Sequence, residues 1–100
     1  MAPKISDQRD IEFVLFEQLD TESLLACERY RSMNRKMFNL VIKEARTIAT
    51  KEIFPTYTEC DAVGVEFENG KVRVPQCLRP VHQLLMEGEW CALTEDPEYG

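Results

Sequence analysis

The sequence has no long apolar run. Its longest, such as Phe13–Phe16, are four residues, against the roughly 20 that a bilayer-crossing helix needs, so no membrane span is expected. An apolar leader is missing too: Met-Ala-Pro-Lys-Ile-Ser runs straight into charged residues. A secretory signal is therefore not expected, and the default expectation is an intracellular chain, in a bacterial cytoplasm or in an organelle matrix after loss of a presequence. Positive charge is in deficit, with 12 Lys and Arg against 18 Asp and Glu and a net charge of -6. Phosphate neutralisation needs a basic face, so nucleic acid is not an expected partner. Arg29, Arg31, Arg35 and Lys36 form the only basic cluster. They read first as solvated surface beside a helix start and second as a phosphate contact.

Chemistry-bearing residues are equally sparse. The cysteines at 27, 60, 77 and 91 contain no C-x-x-C pair, whereas zinc sites bring ligands together at short spacing. Cys77 and His82 do have a C-x4-H separation, but a zinc knuckle's partner position is Val74, so no metal site is expected. With no sign of secretion, four reduced core thiols are the reading adopted. His82 is the only histidine. A Cys77–His82 couple would supply a nucleophile and a base, yet five-residue spacing suits a helix surface as well as an active site. Glu66 and Glu68 alternate onto one side of a ribbon, where ion pairing is the simpler role. Gly64, Gly70, Gly88 and Gly100 are scattered and build no phosphate-cradling loop. No catalytic, cofactor-binding or metal-binding residue is assigned.

What is present predicts a mainly α chain with one small β-hairpin over about 65–74. At 100 residues the chain is one domain at most, with a modest core margin. The first helix is predicted over Gln8 to Leu19, capped by Ser6 or Asp7. Ile11, Val14 and Leu15 form one face of it, and Phe13 and Phe16 lie across from them. A helix apolar on two sides wants contacts on both, from its own core or from a partner. A short helix is predicted at Glu22 to Glu28. The longest runs from Ser32 to Phe54, with Phe38, Val41, Ile42, Ala45, Ile48, Ala49 and Ile53 on one stripe and Leu40 opposite. Pro55 is predicted to end or kink it, with a further turn possible through Tyr57 to Cys60.

Asn69-Gly70 is the preferred dipeptide of a type I′ turn. A two-residue loop there pairs Glu68 with Lys71, Phe67 with Val72, Glu66 with Arg73 and Val65 with Val74. One face becomes apolar and the other carries two opposite-charge pairs, each cross-strand pair contributing roughly 0.2–1 kcal/mol. Pro75 closes the strand. A last amphipathic helix follows over Gln76 to Glu87, burying Leu78, Val81, Leu84 and Leu85, with Pro80 near its first turn and Gly88 as C-cap. The stretch from Trp90 onward reads as extended.

Taken in order, these segments resemble one family, the acyl-CoA dehydrogenases. Asp10-Ile11-Glu12-Phe13-Val14-Leu15-Phe16-Glu17 resembles the D-x-x-F-x-L-F-E extension that opens the family's long branch. Ile53-Phe54-Pro55, Asp61, Gly64, Asn69-Gly70-Lys71-Val72 and Pro75 are similar to that branch's spaced P, D, G and GxVxxP string. Glu87-Gly88-Glu89-Trp90 and Glu98-Tyr99-Gly100 resemble its approach to the middle of the domain. Glu89 between Gly88 and Trp90 departs from the family pattern. So does Cys77-Leu78-Arg79-Pro80, where a Gly-Phe pair is usual. The resemblance spans about residues 7–100.

It implies an N-terminal extension helix over 1–20 and, over 21–100, the first part of a helical domain that precedes the flavin-binding domains. Family members bind FAD downstream, and a downstream glutamate takes the α-proton of an acyl-CoA thioester as hydride passes to the flavin. The implied partners are the downstream domains, the acyl-CoA and, in a homo-oligomer, further copies. No FAD is expected on these 100 residues alone, and they are expected to be inactive unaided. The alternative is a free-standing helical module for protein interaction or dimerisation.

Overall fold

The computed structural model describes residues 5–99. The charged start at Met1–Lys4 and the closing Gly100 of the last motif lie outside the described residues. Helices of several kinds and one two-stranded antiparallel ribbon make up the chain, which is the mainly α architecture with a hairpin that the sequence predicts. No helix among the described residues is long and apolar enough to cross a membrane. The chain divides after Lys51 into two compact units.

In the first unit, α1 (Gln8–Glu12) starts at Asp7, whose carboxylate accepts the amides of Arg9 and Asp10. Of the two predicted caps, Asp7 takes the role. Ser6 does something else: its carbonyl accepts from Arg46 Nη2 at 2.8 Å and its hydroxyl from Arg46 Nε at 3.1 Å. The predicted helix to Leu19 is continuous but not uniform. From Phe13 to Gln18 it widens into a π turn, closed by Leu19 N–H to the Val14 carbonyl at 2.9 Å. Asp20 then takes a left-handed backbone and stops the helix, and the Thr21 hydroxyl donates to the Leu15 carbonyl. The short helix predicted at 22–28 is two 3₁₀ segments, Thr21–Ala26 and Glu28–Tyr30.

The long helix α2 (Arg35–Ile48) begins three residues later than predicted. Asn34 is extended and its side chain accepts the Met37 amide, a cap that Ser32 cannot supply from its place in the chain. The α geometry also ends earlier than Phe54. Thr47 and Thr50 donate to the carbonyls of Lys43 and Arg46, back-bonding that loosens and bends helices. A π turn over Ala49–Ile53 follows, in which the chain passes from one unit to the other, and then a 3₁₀ turn, Phe54–Thr56, that holds Pro55.

In the second unit, the turn foreseen after Pro55 is α3 (Tyr57–Val63). Gly64, at φ +69°, ends it in a conformation that side chains avoid. The ribbon is β1 (Glu66–Glu68) against β2 (Lys71–Arg73), with the predicted register: Glu66 opposite Arg73, Phe67 opposite Val72, Glu68 opposite Lys71. Asn69 and Gly70 have φ of +52° and +74°, as a type I′ turn requires. The predicted fourth pair, Val65 with Val74, lies beyond the ladder. On the charged side the ion pair is diagonal, Arg73 to Glu68 at 3.8 Å. The last helix, α4 (Leu78–Glu87), starts two residues after its predicted Gln76, because Pro75 and Gln76 carbonyls close turns onto Leu78 and Arg79.

Gly88 caps α4 as predicted, for a reason other than a left-handed backbone. A methyl group there would meet Trp90 Cδ1 at 2.7 Å and the Leu84 carbonyl at 3.3 Å. The left-handed position falls instead on Glu89. The tail is not extended: Trp90–Ala92 is a 3₁₀ turn, and further turns follow with Ala92 and Asp96 carbonyls as acceptors.

Burial is thin. Among the described large apolar side chains only Phe16 and Ile48 are buried, at 9% and 7% exposure. Phe38 and Ile42 of the α2 stripe, and all four stripe residues of α4, are half-buried; Val41, Ala45 and Ile53 are exposed. The predicted core of α4 is therefore a half-covered face. Ile48→Ala is expected to cost about 2 kcal/mol or more and to strip helical signal from the far-ultraviolet circular dichroism of the chain. Phe67→Thr, on the open ribbon, is expected to change stability by no more than about 0.5 kcal/mol. Equal effects in thermal melts would contradict this distribution of burial.

Candidate functional surfaces

Two features stand out once the elements are in place. One is an apolar ribbon face left in water. The alternation of β1 and β2 puts Val65, Phe67, Val72 and Val74 to one side, and they are 66%, 75%, 63% and 51% exposed. Side chains of this kind are ordinarily covered in a folded protein, and contiguous open patches mark interaction sites. In the first unit Phe13, Val14, Leu19 and Leu40 are likewise exposed. Of the three residues that the sequence places off the main apolar stripes, Phe13 and Leu40 are exposed and Phe16 is buried. Of the two-faced first helix, Phe16 is buried and Ile11 and Leu15 are half-buried.

The second feature is a pair of thiols. Cys60, on α3, and Cys77, one residue before α4, bring their Sγ atoms to 3.1 Å, both half-buried. All four cysteines are free, as expected, but Cys27 and Cys91 are exposed. The expectation of four core thiols is corrected: the sequence does not reveal which cysteines the fold covers. The group that Cys77 meets is a second thiol rather than His82. The hydrogen bond shared with Cys60, and then burial, push the Cys77 thiol up to about 11 from its ordinary 9.0. Both favour the neutral S–H over the thiolate.

The remaining candidates of the sequence go to separate places. His82 lines a shallow cleft with Val74, Leu78, Arg79 and Gln83. Glu68 is in the ribbon's ion pair with Arg73. Arg35 stands over the Phe16 ring, its Cζ 4.3 Å from the centroid, and pairs with Glu22 at 2.9 Å. One member of the basic cluster is thus a lid on the only buried aromatic among the described residues. Arg29 and Arg31 lie exposed in and after the second 3₁₀ segment. Arg35, Lys36, Asn39 and Lys43 line a shallow trough of the first unit together with Gln8, Glu12 and Leu40. Among the described residues no cluster of three or more His, Cys, Asp or Glu side chains is placed to hold a metal ion.

The thiol pair is the feature that sequence reading missed. Its members stand seventeen positions apart, and no short-range motif marks them. The one available signal is that the ribbon's tight turn folds the chain back between them. Comparison with family models, with curated proteins and with solved structures finds no match.

A pH dependence follows from the raised Cys77 thiol. Between pH 9 and 11 the folded chain keeps a proton that the unfolded chain gives up. The stability linked to this proton is complete below about pH 9 and is lost as pH rises through 11. In urea unfolding, the stability difference between the parent chain and Cys77→Ser is expected to shift against the parent over that window. A difference that stays constant with pH would refute the assignment.

Proposed function

We propose that this chain is the N-terminal helical segment of an FAD-dependent acyl-CoA dehydrogenase of the long branch, a part that packs against flavin-bearing domains and takes no chemical step itself. The observation that carries the reading is the ordered string of matched segments. The Asp10–Glu17 motif falls on the first helix, Asn69-Gly70-Lys71-Val72 on the ribbon turn, Pro75 at its close, and Glu98-Tyr99 at the end of the described chain. The apolar surface supports the same reading. Helices and ribbon are well formed, yet their stripes are only partly covered, as expected of elements whose other contacts come from neighbouring domains.

In this role the helices wall one side of the acyl pocket. FAD and the glutamate that removes the α-proton belong to later parts of the protein. The implied partners are those domains, the acyl-CoA thioester and other copies of the protein in an oligomer. No residue of this chain is proposed as a flavin ligand.

Expression of the gene with whatever coding sequence follows Gly100 tests the proposal. The product is expected to carry flavin absorbance, and an acyl-CoA added without oxygen is expected to bleach it as the thioester is dehydrogenated. A product that stays colourless after addition of FAD, or a stop codon directly after Gly100, would overturn the reading in favour of a free-standing interaction module.

A further inference from the structure

Cys60 and Cys77 flank the ribbon in sequence and meet in space. A disulfide needs its sulfurs about 2.05 Å apart, so the 3.1 Å contact closes with a movement of roughly 1 Å. Neither thiol is deeply enclosed, and both belong to the same compact unit. We propose that Cys60 and Cys77 form a reversible modification site, a dithiol that a low-molecular-weight disulfide such as oxidised glutathione converts to a cross-link spanning the ribbon.

The exchange runs in two displacements. Cys77 is held protonated by its hydrogen bond with Cys60, so Cys60 attacks first. Its sulfur bonds to one sulfur of the small disulfide as that S–S bond breaks, and the departing small thiolate takes up the proton lost by Cys60. The hydrogen bond that kept Cys77 neutral is then gone. Cys77 loses its proton, its sulfur bonds to that of Cys60, and the mixed disulfide breaks to release the second small thiol. Two electrons pass from the protein sulfurs to the small disulfide. Two protein thiols become one disulfide, and one small disulfide becomes two thiols.

The exposed Cys27 and Cys91 provide the contrast, since a thiol with no neighbouring thiol stops at the mixed disulfide. The protein carrying Cys27→Ser and Cys91→Ser is incubated with oxidised glutathione, its remaining thiols are alkylated, and it is digested with trypsin without reduction. Cleavage after Lys51, Lys71 and Arg73 leaves Cys60 and Cys77 on different peptides. These peptides are expected to travel mostly as one species that dithiothreitol splits, and to separate when the incubation is done in concentrated urea. Separate glutathione adducts on the two cysteines, or two alkylated thiols, would overturn the proposal. Phenylarsine oxide gives a second test on the unsubstituted protein, because its trivalent arsenic bridges neighbouring thiols. It is expected to shield Cys60 and Cys77 from alkylation and leave Cys27 and Cys91 open. Equal labelling of all four would contradict a paired site.

Discussion

Local backbone satisfaction, rather than a shared core, is the constraint on which this chain depends. With Phe16 and Ile48 alone buried among the described large apolar side chains, each element is held mainly by its own ends. Asp7 and Asn34 accept the first free amides of α1 and α2, contributions of about 1 kcal/mol each. Arg46 ties α2 to the Ser6 carbonyl ahead of α1. Asn69-Gly70 turns the ribbon, and Gly88 lets Trp90 lie against the end of α4. Such devices specify conformation well and stabilise it weakly. Helices shorter than about 12–15 residues and isolated two-stranded ribbons are marginal in water. Cover from outside the chain would complete them.

The proposed place in a flavoenzyme supplies that cover, and it accounts for apolar side chains standing off the main stripes. It also gives the thiol pair a setting. A cross-link from α3 to the start of α4 would fix the two ends of the ribbon segment, whose apolar face is open. Oxidation would therefore act on the same surface that docking would bury.

Features governed by neighbours in the sequence were legible from it. The ribbon's register follows from one dipeptide and an alternation, and Asp7 and Gly88 were readable as caps. Features set by competition between similar local geometries were not. Phe13–Gln18 and Ala49–Ile53 carry the same apolar spacing whether the turn closes four or five residues back, so the π turns left no mark. The apolar stripe of α2 begins only at Phe38 and so does not mark its start, which the Asn34 side chain sets by accepting the Met37 amide. The turns of the tail are closed by backbone bonds, which its acidic composition does not signal. Proximity of Cys60 to Cys77 depends on the path of the chain around the ribbon, which no spacing rule encodes.

The steepness of urea unfolding measures how much surface the chain buries on folding, and so bears on this account most directly. An ordinary small domain has a slope of roughly 1–3 kcal/mol/M. A shallow, broad transition at or below the bottom of that range is expected for these 100 residues. A steep single transition in the middle of it would mean that the chain closes a full core by itself, and the view of these helices as surfaces awaiting cover would fail.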